Sequence, residues 1–405
     1  MKKQRLSICY AVPGHNLLSS AGPSRNVLYL AQELSRWADV TVAFRRVLEP
    51  VEAGDFAIVE FQPGIKNPTQ WVDDAAVRDT GLVDFVAYMR ALKRFVDERM
   101  DAYDVVLEKS WLLSGYLAAL CKRRGVPGIV VENIVRVWNR SFSGPKDLLS
   151  YARHGLSQAL VGRYLRDAPC IIAETGQLKS ALVERWRIPA SRIEVVNLGL
   201  NHRLFRPCNQ AEARRELGIS PRSTILLYAG VLDETHSLTP VIDAVTRLSY
   251  PAVELHIVGD GARRALYEER AKQSPAKIVF HGRVSHEAVP QYIALADLCL
   301  APYNPAAFPN GEIAYSTLKI PEYMACARPV ASVPSGHVKT LIQDLVSGFL
   351  LPNDVRSWVN FLESLPSRDR LRQMGDAARR AVEPITWENT ARQYLELCQM
   401  LTTRS

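Results

Sequence analysis

One short stretch of the chain combines residue types that bind a phosphorylated nucleoside. Ser316 and Thr317 are followed by Lys319 and, one helical turn later, by Glu322. A helix capped by Ser316 or Thr317 would present free backbone N–H groups at its start, and such groups bind phosphate oxygens. Lys319 would add a positive charge on the first turn, and the Glu322 carboxylate would accept hydrogen bonds from a ribose diol. The stretch therefore predicts a nucleoside diphosphate site, and a capped core helix with a solvated Lys and Glu is the alternative interpretation.

The elements around this stretch alternate in the way typical of a parallel α/β sheet. A polar loop precedes the predicted helix, a short apolar strand over residues 330–333 follows it, and a second helix and strand come after the turn at 334–336. The same alternation begins near residue 6, where an apolar strand, a glycine-containing loop and an amphipathic helix follow one another. Because parallel strands require helical crossovers, the sequence predicts parallel sheets in both halves.

Polar residues also follow two apolar strands of the first half. Glu108 comes after a strand over 104–107, and Asn133 comes after a strand over 128–131. Ligands gather beyond the carboxyl ends of the strands in an open parallel sheet. Both residues are therefore predicted to contact the substrate, and the Asn133 amide can bond a hydroxyl but cannot act as an acid or a base.

The stretch from 308 to 354 resembles the donor-binding segment of the GT-B-fold retaining glycosyltransferases, a family 4-like group also called glycosyl transferases group 1. The match rests on Glu322 and on the letters MACARPVAS and SGFLLPND that follow it. The resemblance implies an α/β GT-B fold of two facing Rossmann-like domains with parallel sheets and an interdomain cleft. It implies an acceptor-binding domain over 1–203 plus 386–405 and a nucleotide-sugar-binding domain over 204–385.

The resemblance also implies roles for individual residues. The backbone of Thr317 and Leu318 would bind the phosphates, Lys319 and His236 would balance their charge, and Glu322 would hold the ribose. Two further positions complete the donor site: Gly230 in the turn after the first strand of the second domain, and Val284, whose backbone would read the base. His15 and Asn16 lie in the first loop, which in the family approaches the donor phosphate or the acceptor.

Three positions depart from the family pattern. Val231 and His236 stand where the family has an Arg and a Lys, and Ala314 stands where it has a glutamate that contacts the donor sugar. Glu312, two residues earlier, would supply a carboxylate instead. The predicted catalytic group is therefore Lys319, His236 and Glu312.

The resemblance implies transfer of a sugar, from a UDP-sugar in the first instance, to a hydroxyl acceptor with retention of configuration. No metal or other cofactor is expected, because helix N–H groups and cations would carry the diphosphate charge. The acceptor stays open between a carbohydrate, a lipid-linked glycan and a small molecule. Two other functions stay open: a degenerate GT-B protein that binds nucleotide or a partner transferase and regulates it, and a nucleotide-sugar epimerase.

Composition limits the remaining classes of function. The 405 residues suit two domains, and 47% hydrophobic with 23% charged residues is ordinary for a globular protein. The net charge of +8 comes mainly from the first half, which fits an anionic acceptor or a peripheral contact with the inner membrane face. Nucleic acid is not an expected partner, because no basic run is interleaved with aromatic residues. The seven isolated cysteines and the lack of a signal peptide pattern or long apolar run predict a cytoplasmic protein.

Overall fold

The structure is a computed structural model that describes residues 5–18, 22–49, 51, 54–61, 82–135, 145–248 and 253–403. The chain folds as two compact units. The first unit comprises Met1–Gly199, Ala314–Ser316 and Trp387–Ser405, and the second comprises Leu200–Ile313 and Thr317–Thr386. The second unit is thus inserted between two long stretches of the first.

The first unit is built on a seven-stranded sheet with the strand order β3-β2-β1-β4-β5-β6-β7. All of its neighbouring strands pair in parallel. The strands are β1 Leu6–Val12, β2 Ala38–Phe44, β3 Ala57–Glu60, β4 Val105–Lys109, β5 Gly128–Glu132, β6 Cys170–Ala173 and β7 Ile193–Val195. The described helices that connect them are α1 Gly22–Leu34, α2 Leu82–Arg99, α3 Tyr116–Lys122, α4 Pro145–Asp167 and α5 Gly176–Trp186.

Strand β1 is apolar at nearly every position because both faces of the sheet are covered there. Ile8, Tyr10 and Val12 belong to one hydrophobic cluster, whereas Cys9 and Ala11 belong to another on the opposite face of the sheet. Successive side chains of a strand point to opposite faces, so a strand that is covered on both faces needs apolar residues without alternation.

The second unit is built on a six-stranded sheet with the strand order β10-β9-β8-β11-β12-β13, again with parallel pairs. Its strands are β8 Thr224–Ala229, β9 Val253–Val258, β10 Lys277–Gly282, β11 Leu298–Ala301, β12 Val330–Ser332 and β13 Gly348–Leu350. Its helices are α6 Gln210–Glu216, α7 Thr239–Arg247, α8 Arg264–Ala271, α9 Val289–Leu295, α10 Lys319–Ala325, α11 Val338–Leu341, α12 Val355–Glu363 and α13 Arg368–Val382. These two sheets confirm the predicted α/β fold of two Rossmann-like domains.

The last helix, α14 Trp387–Thr402, returns to the first unit. Trp387, Tyr394 and Leu397 are buried in the same cluster as β1 and α1. Gly199 lies directly against this helix, because a Cβ on Gly199 would stand 2.4 Å from the Trp387 Cα. A larger residue at 199 would push the helix away from the sheet.

All seven cysteines are free thiols, and six of them are buried. Cys208 is the exposed one. Within the described residues, no helix has the length and apolar character needed to span a lipid bilayer.

Candidate functional site

The helix at the centre of the predicted site begins later than the sequence suggested. Leu318 is the N-cap residue of α10, and its own side chain makes no capping hydrogen bond. The Thr317 hydroxyl pairs instead with the Tyr303 hydroxyl in the protein interior. Pro321 lies in the first turn, where the missing N–H of a proline costs no helical hydrogen bond. The predicted capping by Ser316 or Thr317 is therefore wrong, because an apolar residue, Leu318, holds the N-cap position.

Lys319, the first residue of α10, is packed among aromatic rings. Its Nζ donates a hydrogen bond to the Tyr228 hydroxyl at 3.0 Å and lies 4.5 Å from the centroid of that ring and 5.5 Å from that of Tyr303. Both tyrosines are fully buried, whereas Lys319 is partly exposed. Desolvation lowers the pKa of Lys319 to about 7, against the opposing effect of Asp233 and Glu322. Among the described residues Lys319 forms no ion pair, so an incoming anion would meet an unneutralised basic group.

Gly230 leaves the space that this lysine occupies. A Cβ at position 230 would lie 2.7 Å from Lys319 Nζ and 3.0 Å from the Tyr228 hydroxyl oxygen. The Gly230 N–H donates to the Val258 carbonyl at 2.9 Å, which ties the turn after β8 to the end of β9. The Tyr228 hydroxyl donates to the Val231 carbonyl at 2.6 Å and shapes the same turn.

His236 is held by the carboxylate of Asp233. Its Nδ1 lies 2.8 Å from Asp233 Oδ1, and its backbone N–H donates to the same oxygen at 3.0 Å. The Thr235 hydroxyl also donates to Asp233 Oδ1, at 2.7 Å. Desolvation alone would raise the pKa of Asp233, but the hydrogen bonds from His236 and Thr235 outweigh it and lower this pKa. Desolvation and the nearby Lys319 lower the pKa of His236, and Asp233 opposes them.

His236 and Lys319 share the same two tyrosine rings. The imidazole centroid lies 5.0 Å from that of Tyr303 and 6.5 Å from that of Tyr228. An isolated antiparallel bridge also joins the backbones of His236 and Tyr303. The structure thus brings three predicted residues together, Gly230, His236 and Lys319. Thr317 is linked to them through its hydrogen bond to Tyr303.

Four further predicted residues have looser positions around this group. Glu322 is partly exposed one turn after Lys319, and its charge acts on the pKa of Lys319. Leu318 is partly exposed at the helix start, and Val284 is partly exposed in the loop after β10. Glu312 is exposed and lies 3.8 Å from Lys339, measured between Oε1 and Nζ, so its predicted catalytic role stays a prediction.

Glu108 is wrongly predicted to contact substrate. Its carboxylate is fully buried and accepts hydrogen bonds from Trp111 Nε1 at 2.6 Å, from Gly115 N at 3.0 Å and from Ala118 N at 2.8 Å. Desolvation raises the pKa of Glu108 to about 7, although these hydrogen bonds oppose the rise. The carboxylate therefore fastens the start of α3 to the end of β4.

The other predicted residues of the first unit lie at the carboxyl ends of its strands. Asn16 is buried, and its Oδ1 accepts a hydrogen bond from Arg45 Nη1 at 3.3 Å, so its predicted ligand contact would require this group to open. His15 is partly exposed, and its carbonyl accepts from the Arg45 N–H at 3.1 Å. Asn133 is partly exposed, and its Oδ1 accepts from the Ser110 hydroxyl at 2.5 Å.

Several residues that shape the site were not predicted from the sequence. Tyr228 and Asp233 hold Lys319 and His236 directly. Asn353 supports the backbone next to these residues. Its Nδ2 donates hydrogen bonds to the carbonyls of Ser237 and Tyr303, both at 3.1 Å, and its Oδ1 accepts one from Trp358 Nε1 at 2.8 Å. One feature of the sequence could have pointed to Asn353, because this residue lies in the letters LPND at the end of the segment that resembles the family. In the part of the chain that the structure describes, no three His, Cys, Asp or Glu residues are grouped to hold a metal ion.

Two family models match the chain. Residues 21–204 match the model described as Glycosyltransferase Family 4, and residues 223–368 match the model described as glycosyl transferases group 1. Together the two matches take in most of the chain.

Relatives and solved structures agree with these matches. A D-inositol 3-phosphate glycosyltransferase of Thermobispora bispora is 29% identical over 313 residues, which are 73% of this chain and 70% of that protein. One from Rhodococcus jostii is 25% identical over 396 residues, which are 93% of this chain and 84% of that protein. Sucrose-phosphate synthase from Thermosynechococcus elongatus aligns with a TM-score of 0.76 and 21% identity over 99% of this chain and 100% of that chain. Anabaena Alr3699/HepE in complex with UDP and glucose aligns with a TM-score of 0.72 and 15% identity over 97% of this chain and 100% of that chain. The structural likeness establishes the GT-B fold.

Proposed function

Because the chain belongs to the glycosyltransferases of group 1 and family 4, we propose that it moves a sugar from a UDP-sugar to a hydroxyl acceptor with retention of configuration. The observation that carries this proposal is Lys319. A lysine without an ion-pair partner in the described structure, desolvated at the start of α10 and facing a glycine, is suited to bind the phosphates of a donor.

The charges around Lys319 suit a leaving diphosphate. Bond cleavage leaves extra negative charge on the nucleoside diphosphate, and preorganised donors that meet this charge lower the barrier. In the proposal Lys319 and His236 meet the phosphates, together with the backbone N–H groups of Thr317 and Leu318. Glu322, one turn along α10, accepts hydrogen bonds from the ribose, and the backbone of Val284 contacts the base.

Retention is proposed from family membership. The acceptor hydroxyl attacks the anomeric carbon on the face from which the diphosphate departs, and the leaving phosphate oxygen takes the hydroxyl proton. One bond forms from the acceptor oxygen to the sugar and one breaks from the sugar to the phosphate, so no protein nucleophile is required. The configuration of the product, determined by NMR from the anomeric coupling, tests this step, and an inverted product would contradict it.

Uridine is proposed as the base because Anabaena Alr3699/HepE, which shares this fold, is described in complex with UDP and with UDP-glucose. The test is calorimetric binding of UDP, GDP, TDP and ADP to the wild type and to Glu322→Ala, with the exposed Glu287→Ala as the matched control. We expect UDP to bind tightest and Glu322→Ala to weaken it about tenfold or more, as expected for a lost hydrogen bond to a charged group.

The outcomes of this experiment separate the alternatives. Absence of binding to every nucleotide would reject the transferase. Tight UDP binding without turnover of any UDP-sugar, with or without acceptor, would favour the regulatory protein. Interconversion of UDP-sugars without an acceptor would favour the epimerase.

Metal independence is a separate proposal, since Lys319 and His236 can balance the diphosphate charge. We expect excess EDTA to leave the transfer rate unchanged and added Mg²⁺ or Mn²⁺ to raise it by less than about twofold. A rate that EDTA abolishes and a divalent cation restores would contradict this proposal.

The acceptor is proposed to carry an anionic group. The relatives are named D-inositol 3-phosphate glycosyltransferases. The first unit also carries most of the net positive charge. Turnover of a fixed UDP-sugar with inositol phosphate and with inositol would test this point, and equal KM values for the two would contradict it.

A further inference from the structure

His236 is the position of the proposed donor site at which a histidine stands in place of a lysine. His236 lies against the same two tyrosine rings as Lys319, and Asp233 binds its Nδ1 at 2.8 Å. A lysine at this place would carry its charge at every physiological pH, whereas an imidazole gains its charge only with a proton.

We propose that Asp233 and His236 form a proton-gated anion contact, in which His236 takes up a proton when a nucleoside diphosphate binds and Asp233 holds the ring so that Nε2 faces the phosphate. This inference rests on the proposed function and adds the state of charge in which the site binds its donor. Asp233 is a positioning residue, because it acts through His236.

The geometry supports this assignment in two ways. Asp233 Oδ1 accepts hydrogen bonds from the imidazole Nδ1, the His236 backbone N–H and the Thr235 hydroxyl, and Thr235 Oγ1 itself lies 2.9 Å from Nδ1, so the polar contacts that orient the ring converge on Nδ1. A histidine whose Nδ1–H is bound to a carboxylate is left with Nε2 for a ligand, and the same carboxylate stabilises the imidazolium when it forms.

The groups that face His236 from the neighbouring elements influence whether its ring gains or loses a proton. Desolvation disfavours the positive charge of the ring most, Lys319 from α10 also disfavours it, and Asp233 favours it. Tyr228 from β8 and Tyr303 after β11 contribute ring faces, and the Tyr267 hydroxyl from α8 donates to the His236 carbonyl at 3.3 Å. In the free protein the balance leaves the pKa of His236 below its ordinary value and that of Lys319 at about 7.

These groups determine the direction in which the affinity for the diphosphate changes with pH. A bound diphosphate adds negative charge, which raises the pKa values of both basic groups. The complex therefore holds more protons than the free protein in the neutral range, and affinity falls as pH rises through that range. Each full proton taken up changes the dissociation constant by about tenfold per pH unit.

The test is calorimetric binding of UDP-glucose to the full chain at pH 7, in buffers of different ionisation enthalpy. Both phosphates of UDP-glucose are esterified, so the ligand does not itself titrate near neutrality. We expect net proton uptake by the wild type, a smaller uptake by His236→Gln, and a weaker pH dependence for His236→Lys between pH 6 and 8 (about tenfold or less in total). Asp233→Asn is expected to move the affinity change to lower pH.

The controls keep this proposal separate from the donor site itself. His286→Gln, in the loop region after β10, is the matched histidine control and should keep the wild-type proton uptake. Equal proton uptake by wild type and His236→Gln would overturn the inference while leaving the donor site intact. Absence of UDP-glucose binding to the wild type at any pH would reject the proposed function and this inference together.

Two further measurements decide the case if His236→Gln does not fold. The NMR titration of the His236 ring, assigned by its disappearance in His236→Lys, should show a higher pKa with UDP-glucose than without it. An unchanged His236 pKa would overturn the inference. The pH profile of kcat/KM should then follow the pH profile of binding.

Discussion

The surroundings of Lys319 bear on its proposed contact with a phosphate. Its amine stands over two buried tyrosine rings and beside a glycine, and desolvation at this place lowers its pKa to about 7. The rings stabilise the ammonium by cation–π attraction but cannot replace the water that it loses. A bound phosphate would raise the pKa of Lys319 and so restore its full positive charge. The attraction between the two charges would therefore be gained on binding.

Replacement of Lys319 by methionine tests this role. The Lys319→Met change keeps the length of the side chain and removes its charge, and we expect the dissociation constant of UDP-glucose to rise by about 10- to 100-fold, as for loss of a charge-assisted hydrogen bond. The measurement is calorimetry, and Lys277→Met, at an exposed lysine of β10 paired with Glu254, is the control. An unchanged affinity in Lys319→Met would contradict the donor site.

The sequence predicted Lys319 and Glu322 because their spacing is local, but it did not predict the rings around them. Tyr228 and Lys319 are 91 residues apart, and only the sheet brings them together. The direction of Glu108 was missed for a related reason. The pattern ended this strand at residue 107, whereas β4 runs to Lys109, so Glu108 lies inside the strand. The face to which a side chain points changes with every residue of a strand. The partners of Glu108 lie up to ten residues downstream, at Ala118 in α3.

At the scale of elements, the turn after β8 lies directly against the first residue of α10. Gly230→Ala would place a methyl group 2.7 Å from Lys319 Nζ, and the far end of the lysine side chain would move rather than the backbone. We therefore expect weaker UDP-glucose binding, by about tenfold, together with a lower thermal midpoint, because the positive φ of 158° at Gly230 is strained for alanine. Calorimetry and thermal unfolding measure the two effects.

Gly176→Ala is the control for this change, because a Cβ at the start of α5 meets no other atom within 4 Å. It should leave binding unchanged. If Gly230→Ala bound UDP-glucose as tightly as the wild type, the close approach of the turn to Lys319 would have no functional meaning.

At the scale of the whole molecule, helix α14 completes the core of the first unit, although residues 200–386 lie between it and Gly199 in sequence. Tyr394 is buried in the cluster formed with β1 and α1. We expect Tyr394→Ala to lower the free energy of unfolding by about 3–5 kcal/mol, as for other large aromatic residues replaced in a core. Urea unfolding followed by circular dichroism measures this change.

Met400→Ala in the same helix is the matched control, because Met400 is exposed. Its effect should stay within about 0.5 kcal/mol. Equal effects of the two substitutions would mean that α14 does not stabilise the first unit through its buried face.

The contact between Gly199 and Trp387 has a consequence for how such a protein can be rebuilt. The polypeptide leaves the first unit and re-enters it at adjoining points, so the residues between them form a cassette whose two splice points already touch. Exchange of that cassette at 199 and 387 would interrupt neither sheet. Under the proposed function, recombination at these two points would pair one first unit with different second units and so show which unit sets the choice of donor sugar.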